Sequence, residues 1–367
     1  MRIGILGGGQ LGRMLALAGY PLGLRFCVFD PSPEAPAGHL AELITAPYDN
    51  LEALRRFAQG VDLVTYEFEN VPVESARVLA QYRPVYPPPQ ALEVSQDRLT
   101  EKSFFRGLGI PTPAFVRVDS QADLERAVEQ LGLPAVLKTR RGGYDGKGQV
   151  LLRTPSHLEP AWKALGSVPL ILEEYIAFER ELSILAVRGR DGACAFYPVV
   201  ENHHRDGILQ LALAPAPQLP EALQARAESY AKKILEALDY VGVLALELFE
   251  RQGELLANEM APRVHNSGHW TIEGAQTSQF ENHVRAIVGW PLGSTAARGQ
   301  CAMLNLIGAT PSAEEVLRIP GAHLHLYGKS PRPGRKLGHI TLCEPSATLL
   351  EAKLAQLQSL TEARWKA

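Results

Sequence analysis

The sequence has 367 residues, and at about 150 residues per domain this length predicts two or three domains. Hydrophobic residues make up 46% of the chain and charged residues 21%, a composition typical of globular proteins that excludes a disordered chain. The formal net charge of −3 argues against a general nucleic-acid-binding protein.

Neither the cysteines nor the apolar segments indicate a secreted or membrane-spanning protein. The four cysteines lie far apart, at Cys27, Cys194, Cys301 and Cys343. They form no CxxC pair, so neither a disulfide framework nor a zinc site is expected. A glycine cluster lies where a signal peptide would carry its apolar core, and no run approaches the ~18–20 apolar residues that span a bilayer. We therefore expect a soluble, cytoplasmic protein.

Short apolar runs alternate with helical patterns in the first third of the chain. Strands are predicted at Arg2–Leu6, Arg25–Asp30 and Val61–Tyr66, and helices at Gln10–Ala18, Leu51–Gln59 and Val73–Gln81. This alternation is typical of a parallel, doubly wound sheet. The proline-rich run Arg83–Pro89 ends the unit.

Two further α/β units are predicted after this break. A helix near Asp97–Leu108 precedes a second proline break at Ile110–Pro113. Later strands are predicted at Ala135–Lys138, Gln149–Arg153, Glu181–Val187, Gly242–Glu250 and Glu254–Met260. The sequence therefore predicts three domains, with boundaries at 1–96, 97–178 and 179–367.

The first glycine motif, Gly7–Gly12, has the spacing G-x-G-x-x-G between a predicted strand and a helix. Asp30 ends the next strand, where a dinucleotide-binding fold places its ribose-binding acid. Taken alone, the motif favours an NAD-dependent oxidoreductase. The alternative is that the glycines only permit a tight turn beside a phosphate or another polar group.

A second glycine-rich stretch, Gly142–Gly148, follows the apolar strand that ends at Lys138. Its four glycines expose backbone N–H groups and allow an anion to approach closely, and Lys138 and Lys147 add positive charge. No helix is predicted after it and it lacks the G-K-[ST] of a P-loop, so we interpret it as a mobile flap over a polyphosphate. The alternative is a plain hairpin turn with solvated lysines. We call Gly142–Gly148 the glycine flap.

Carboxylates lie at three places in the apolar strands that follow. The strand Leu170–Ile176 runs into a short linker that can offer backbone edges to an adenine, with Glu181 near the ribose hydroxyls. Glu247 and Glu259 each interrupt an apolar strand, and buried carboxylates need cations between them. Together with Asn258 they supply the hard oxygen ligands that suit Mg²⁺ held against ATP phosphates. The alternative is that both acids point outward from edge strands.

Two cationic stretches complete the pattern. Arg263–Asn266 is rich in hydrogen-bond donors and directly follows the predicted metal strand, which suits a small trigonal anion. The basic loop, Lys329–Lys336, carries four cations around a Pro-Arg-Pro-Gly sequence that cannot be helical. Such a loop suits a ribonucleotide phosphate, although charge runs also occur as solvated surface loops.

The order of these features resembles the ATP-grasp superfamily, whose members activate a carboxylate as an acyl phosphate and pass it to an amine or another nucleophile. In chain order the features are Lys138, the glycine flap, Glu173–Ile176, Glu181, Glu247 and Asn258–Glu259. Longer stretches narrow the resemblance to the family of 5-(carboxyamino)imidazole ribonucleotide synthases of purine biosynthesis. These stretches are Gly7–Met14, Tyr66–Val71, Asp97–Lys102, Ala261–Trp270 and Tyr327–His339.

The resemblance implies an α/β ATP-grasp fold with an N-terminal Rossmann-like (pre-ATP-grasp) domain, a small lid domain and a larger C-terminal α+β domain. The implied reaction is the ATP-dependent carboxylation of the exocyclic amine of 5-aminoimidazole ribonucleotide by bicarbonate. It proceeds through carboxyphosphate and gives 5-(carboxyamino)imidazole ribonucleotide, ADP and phosphate. The implied cofactors are ATP and two Mg²⁺ ions. The implied partners are these small molecules and a second copy in a homodimer, with no nucleic acid and no membrane.

The resemblance also implies the roles of individual residues. ATP would be held by Arg98, Lys138, Gly143, Tyr144, Asp145, Gly146, Lys147, Gly148, Gln149, Glu173, Glu174, Tyr175, Ile176, Glu181, His204, Asn258 and Glu259. The metal ligands would be Glu247 and Glu259, and the catalytic residues around bicarbonate and carboxyphosphate would be Arg263, His265 and Asn266. The ribonucleotide would meet Gly9, Gln10, Leu11, Glu67, Tyr144, Asp145, Lys147, Lys329, Arg332, Arg335 and Lys336. His203 remains an alternative to His204 at the nucleotide.

Three other functions remain open at this point. Another carboxylate–amine ligase, such as a formate-using glycinamide ribonucleotide enzyme, is disfavoured by the run His265–Trp270. An NAD oxidoreductase would rest on Gly7–Gly12 alone. A non-catalytic nucleotide-binding regulator is disfavoured because a sensor need not keep Lys138 and two metal-binding acids.

Overall fold

The computed structural model describes residues 1–143, 146–165 and 168–365, and these form three sheets with helices around them. The first sheet has the order β3-β2-β1-β4 and is parallel throughout. Its strands are β1 (Arg2–Leu6), β2 (Arg25–Asp30), β3 (Glu42–Thr45) and β4 (Leu63–Tyr66), and the helices around it are α1 (Gln10–Gly19), α2 (Leu51–Gln59) and α3 (Val73–Ala80). The predicted doubly wound unit is confirmed, with the short strand β3 as an addition that the sequence pattern did not indicate.

Two helices connect the first sheet to a small antiparallel sheet. They are α4 (Pro89–Ser95) and α5 (Arg98–Gly107), and Asp97 caps α5 by accepting hydrogen bonds from the backbone N–H groups of Leu99 and Thr100. The small sheet has the order β5-β8-β6-β7. Its elements are β5 (Phe115–Val118), α6 (Gln121–Leu131), β6 (Ala135–Thr139), β7 (Gln149–Leu152), α7 (Leu158–Ala164) and β8 (Leu170–Glu174). The glycine flap joins β6 to β7.

The third sheet is large and antiparallel, with the order β14-β13-β9-β11-β12-β15-β17-β16 and with β10 paired to β9. Its strands are β9 (Arg180–Arg188), β10 (Cys194–Phe196), β11 (Val200–Arg205), β12 (Ile208–Ala214), β13 (Gly242–Arg251), β14 (Glu254–Ala261), β15 (Gln300–Ile307), β16 (Ala322–Leu326) and β17 (Lys336–Glu344). The remaining helices are α8 (Glu221–Ala237), α9 (Thr271–Gly274), α10 (Gln279–Val288), α11 (Ala313–Leu317) and α12 (Ala347–Trp365). Among the residues described, no helix is both long and apolar enough to cross a bilayer.

The large sheet curves so that distant strands reach one cavity. β13 and β17 are separated by five strand steps, which would be about 24 Å in a flat sheet at ~4.8 Å per step. Nevertheless Glu247 on β13 and Lys336 at the start of β17 line the same cavity, and the charge of Lys336 acts on Glu247. The basic loop between β16 and β17 therefore faces the predicted metal-binding strands.

Candidate active site

A cavity of about 1150 Å³ lies between the three sheets, and most of the predicted site residues line it. Those that do are Gln10, Leu11, Glu67, Arg98, Lys138, Gly143, Gly146, Lys147, Gln149, Glu181, His204, Glu247, Asn258, Glu259, Arg263, His265, Asn266, Lys329, Arg332, Arg335 and Lys336. Among the described lining residues, nine lysines and arginines stand against five glutamates. This excess of cations suits multiply charged anions.

The two predicted metal acids meet at an irregularity between β13 and β14. The strand pairing shifts between Leu246 and Leu248, opposite Asn258 and Glu259, which brings Glu247 close to Glu259. Burial and the neighbouring Glu259 raise the pKa of Glu247 to about 7. Burial opposes ionisation of Glu259 too, but Arg98, whose Nη1 lies 2.7 Å from Glu259 Oε2, lowers its pKa to about 2.

This arrangement fits a divalent cation. The Oδ1 atom of Asn258 is buried and has no hydrogen-bond partner among the described residues, so it is available as a neutral oxygen ligand beside the two glutamates. Within the same described part of the chain, no group of three or more His, Cys, Asp or Glu side chains could hold a metal ion alone. Two carboxylates completed by substrate phosphates are the usual setting of Mg²⁺ rather than of zinc.

A buried network of ion pairs and hydrogen bonds holds the segment of β14 that carries Glu259. Glu173 Oε2 accepts from Lys138 Nζ at 2.9 Å and lies 3.3 Å from Lys102 Nζ, and the two lysines lower the pKa of Glu173 against the effect of burial. Lys102 also donates to the carbonyl of Asn258 at 3.0 Å. The neighbouring Glu101 accepts from the backbone N–H of Met260 at 2.7 Å. Helix α5 thereby holds the Asn258–Met260 backbone on both sides of Glu259.

The nucleotide side of the cavity contains an acid, a histidine and two aromatic rings. Glu181 Oε2 lies 2.6 Å from His204 Nδ1, and this contact raises the pKa of His204 although burial acts in the opposite direction. His203 is half-exposed and pairs with Glu201 instead, so the geometry favours His204 over His203 as the cavity residue. Phe178 and Phe249 stack at 4.9 Å and form an apolar wall that suits a planar base.

The glycine motif at the start of α1 already has a carboxylate bound to it. Glu67 accepts hydrogen bonds from the backbone N–H groups of Gly9 at 2.8 Å and of Leu11 and Gly12 at 3.1 Å. A Cβ atom at Gly9 would lie 2.6 Å from Glu67 Oε1, which explains the glycine. Asp30 likewise accepts from the N–H of Gly8 at 2.7 Å. These two acids hold the donors that a dinucleotide would need, so the NAD interpretation is disfavoured.

The three predicted catalytic residues are each clamped by a partner. Arg263 is ion-paired with Glu69 through its Nε atom. The amide of Gln279 bonds the backbone of His265 on both sides, with His265 N donating to Oε1 at 2.9 Å and Nε2 donating to the His265 carbonyl at 2.6 Å. Asn266 exchanges two side-chain hydrogen bonds with the buried Asn305, at 3.0 and 2.6 Å. Burial, reinforced by the charge of Arg263, lowers the pKa of His265 to about 3, so its imidazole is neutral.

The basic loop turns its cations into the same cavity. Arg335 Nη1 donates to Ser330 Oγ at 2.9 Å and to the Ser330 carbonyl at 3.1 Å, which stiffens the loop. Lys329 donates to the side chain of Gln10 at the start of α1. Partial burial lowers the pKa of Lys329 to about 8, and Glu67 opposes this effect.

Some predicted site residues lie elsewhere. Gly9 and Gly148 do not line the cavity, and neither do Glu173, Glu174, Tyr175 and Ile176. The carboxylate of Glu173 points into the ion network described above, and Glu174 pairs with Arg251. Backbone contacts from this linker to an adenine stay a prediction. Tyr144 and Asp145 lie outside the described residues.

The sequence did not single out several partners that the structure reveals. Glu69, Gln279 and Asn305 hold the three catalytic candidates, and Ser183 and Ser267 lie beneath His265. Glu69 lies in a stretch that the resemblance covers, but no pattern marked it as the partner of Arg263. Ser267 also lies in a stretch that the resemblance covers, Ala261–Trp270, but nothing there marked it as a partner of His265. Gln279, Asn305 and Ser183 carry no sequence signal for a site.

The lid sheet with its glycine flap, the acid pair and the large antiparallel sheet define an ATP-grasp enzyme, an ATP-dependent carbon–nitrogen ligase. Three family models agree with this class. The ATP-grasp domain matches residues 103–280, the ribonucleotide synthetase preATP-grasp domain matches residues 1–96, and the phosphoribosylaminoimidazole carboxylase C-terminal domain matches residues 301–353.

Relatives along the whole chain specify the family. The N5-carboxyaminoimidazole ribonucleotide synthase of Pseudomonas aeruginosa is 56% identical over 99% of this chain and 100% of its own length. The crystal structure of the synthetase from Thermus thermophilus is 64% identical, with a TM-score of 0.95 and 98% of each chain covered. A synthase from Aspergillus clavatus, solved with ADP and 5-aminoimidazole ribonucleotide, is 34% identical, with a TM-score of 0.92 over 99% of this chain and 98% of the other. The chain belongs to the N5-carboxyaminoimidazole ribonucleotide synthase family.

Proposed function

We propose that this protein carboxylates the exocyclic amine of 5-aminoimidazole ribonucleotide with bicarbonate at the expense of ATP, through carboxyphosphate, in de novo purine biosynthesis. One observation carries the proposal. A single cavity brings together the Glu247–Glu259 pair, the donors Arg263, His265 and Asn266, and the basic loop. We assign the acid pair to Mg-ATP, the three donors to bicarbonate, and the basic loop to the ribonucleotide.

The chemistry explains why the three sites must adjoin. Bicarbonate is a poor electrophile, and phosphorylation converts it to a mixed anhydride with a good leaving group. Because carboxyphosphate is short-lived in water, it must form in an enclosed site beside the amine. Phosphoryl transfer is catalysed mainly by positioning and charge neutralisation, which Arg98, Lys138 and Arg263 can provide because all three line the cavity.

Each substrate group has a proposed set of residues. Lys138, the glycine flap, Glu181 and His204 bind ATP. Glu247, Glu259 and Asn258 would hold two Mg²⁺ ions, which supply charge neutralisation at the transferring phosphoryl group. Arg263, His265 and Asn266 donate to bicarbonate and carboxyphosphate, and the basic loop binds the ribonucleotide phosphate.

The remaining proposals concern the chain as a whole. We propose the domain boundaries 1–96, 97–178 and 179–367, which separate the three sheets. We also propose a cytoplasmic homodimer. The family resemblance supports the dimer, and the location of nucleotide substrates supports the compartment. Analytical ultracentrifugation of the purified protein tests the dimer, and a monomer at micromolar concentration would contradict it.

Phosphate release tests the proposed function. We expect release to require ATP and bicarbonate and to be stimulated strongly by 5-aminoimidazole ribonucleotide. Replacing bicarbonate with formate and the aminoimidazole with glycinamide ribonucleotide should abolish it. Activity with the formate pair would instead identify the other ligase, and tight ATP binding without any turnover would identify a nucleotide-binding regulator.

The lowered pKa of Lys329 predicts a pH dependence for ribonucleotide binding. Lysine is cationic below its pKa, so its attraction to a phosphate is present at pH 7 and is lost as the pH rises through about 8. Because kcat/KM reports the ionisation of the free enzyme, kcat/KM for the ribonucleotide should fall across this range. In the Lys329→Arg variant the fall should disappear, since arginine stays charged. A flat wild-type profile from pH 7 to 9 would contradict the prediction.

Nucleotide binding should protect the glycine flap from proteolysis. The four glycines of the flap lose much backbone entropy when they are fixed, so we expect ordering to depend on contacts with bound phosphates. Gly146 lies against the β11–β12 turn at Asp206 and Gly207, which gives the closed flap a surface to rest on. Trypsin should cut after Lys147 more slowly with Mg-ATP than without it. Equal cleavage in both conditions argues against a lid.

A further inference from the structure

A series of buried polar side chains, each hydrogen-bonded to the next, ends at Nδ1 of His265. Asn202 Nδ2 lies 2.9 Å from Ser183 Oγ, Ser183 Oγ lies 2.9 Å from Ser267 Oγ, and Ser267 Oγ lies 2.9 Å from His265 Nδ1. Asn202, Ser183 and Ser267 are all buried. We call these three residues the polar chain.

Strand register places the polar chain on the cavity face of the large sheet. Ser183 on β9 is directly opposite Glu247 on β13 and Val200 on β11. Alternation along β11 puts Asn202 on the same face as Val200, and therefore on the same face as Ser183 and Glu247. Ser267 lies in the short 3₁₀ turn Asn266–Gly268 that covers this face. The polar chain is thus fixed by the sheet.

The hydrogen bonds of the polar chain run in one direction, from Asn202 toward His265. The side-chain nitrogen of Asn202 can only donate, so Ser183 accepts there and gives its single hydroxyl proton to Ser267. Ser267 accepts from Ser183 and gives its own hydroxyl proton to Nδ1 of His265. The backbone N–H of Ser267 also donates to Nδ1 of His265, at 3.4 Å. This backbone N–H can only donate, so it requires Nδ1 to be an acceptor, and the Ser267 hydroxyl is oriented to agree with this.

An imidazole that accepts at Nδ1 carries its proton on Nε2 when it is neutral. His265 Nε2 lies 3.4 Å from Glu247 Oε1, and the ring lines the cavity. Gln279 holds the His265 backbone on both sides. With the backbone fixed, turning the ring over would break the hydrogen bond between Nδ1 and Ser267. The Nε2–H bond is therefore on the side of the ring next to Glu247, in the cavity.

We propose that Asn202, Ser183 and Ser267 are positioning residues that hold His265 as the Nε2–H tautomer, so that it serves the reaction as a fixed hydrogen-bond donor and not as a base. The identity of the anion that receives this bond, bicarbonate and then carboxyphosphate, rests on the proposed function. A donor whose direction is set before the substrate arrives needs no reorganisation when charge develops on the anion. The opposite tautomer would turn a lone pair toward that charge.

The tautomer can be read directly in the ligand-free protein. Long-range ¹H–¹⁵N correlation spectra of the full chain labelled with ¹⁵N-histidine distinguish Nε2–H from Nδ1–H rings, and the His265→Asn variant identifies the signals of His265. We expect the wild-type pattern to be that of the Nε2–H form. An Nδ1–H pattern overturns the proposal whatever the enzyme catalyses.

Removing one hydroxyl of the polar chain should allow both tautomers of His265 and should raise the KM for bicarbonate more than the KM for ATP. In Ser183→Ala the donor to Ser267 is lost, so we expect the His265 signals to move toward a mixture of the two forms. The apparent KM for bicarbonate should rise about five- to tenfold, the effect of about one lost hydrogen bond, while the KM for ATP changes less than about twofold. Ser183→Thr, which keeps the hydroxyl, should restore both readouts.

Controls separate positioning from general destabilisation. Ser75→Ala removes another buried serine hydroxyl, one that donates to the Tyr48 carbonyl in the first sheet's domain, and it should move neither readout. If Ser183→Ala does not fold, Ser267→Ala and the wild-type spectrum decide. Unchanged His265 signals in a folded serine variant overturn the proposal. A tautomer shift in a protein without bicarbonate-dependent phosphate release would refute the proposed function and leave the positioning role standing.

Discussion

Glu259→Gln should abolish turnover while leaving the fold intact. Glutamine keeps an oxygen that can accept from Arg98 Nη1, and loss of the charge relieves repulsion from Glu247. The variant also loses the attraction of Arg98 that lowers the pKa of Glu259, so we expect a folded protein with a lower melting temperature. The substitution removes an anionic group that we propose as a metal ligand, and metal-assisted charge stabilisation contributes several kcal/mol to phosphoryl transfer. We therefore expect kcat to fall by about a thousandfold or more, measured as phosphate release at saturating substrates.

The matched control lies on the same strand. Glu254→Gln changes an exposed glutamate at the first position of β14, where its partner is Arg226 on the protein surface. Surface pairs contribute little, so this variant should keep normal kcat and KM values. Near-normal activity of folded Glu259→Gln protein would rule out Glu259 as a ligand.

The double variant Arg335→Ala/Lys336→Ala should raise the apparent KM for the ribonucleotide strongly. Each charge-assisted hydrogen bond to a phosphate contributes about 1.5–3 kcal/mol, so the two changes should lower kcat/KM for this substrate by about a hundredfold or more. The KM for ATP should change little, because the nucleotide is assigned to Lys138 and Glu181. A slow bicarbonate-dependent ATPase can survive, since carboxyphosphate formation does not require the amine.

Steady-state kinetics with each substrate varied in turn distinguish the outcomes. The control Arg318→Ala/Lys232→Ala removes two exposed cations of the same domain that form helical ion pairs with Glu314 and Glu236. It should leave every KM unchanged. If only the KM for ATP moved in the Arg335/Lys336 variant, the basic loop would belong to the nucleotide.

The charged residues of the site could be predicted from the sequence more completely than the residues that contact them. Glu247 and Glu259 could be found because each interrupts an apolar strand, and the structure places those strands side by side at a shift in register. The basic loop could be found because proline and glycine exclude a helix. In both cases a few adjacent residues are enough to predict the feature.

What could not be predicted depends on contacts between distant segments. Ser183 and Ser267 are 84 positions apart, and Glu67 lies 58 positions from the Gly9 N–H that it accepts from. A single serine in an apolar strand has no periodicity that marks it as part of a hydrogen-bonded chain. The glycine motif illustrates the same limit, because Glu67, which decides its role, follows the neighbouring strand β4 in the sheet but lies far along the chain.

The curvature of the large sheet has a mechanical consequence. Glu247 and Lys336 lie on strands of one continuous hydrogen-bonded sheet, so the distance between them is set by the pairing of the strands. Under the proposed assignment, this distance is also the one between the phosphoryl donor and the amine acceptor. It is then fixed when the sheet folds. Movement of the proposed flap would not alter it, so the timing of catalysis could change while its geometry stays constant.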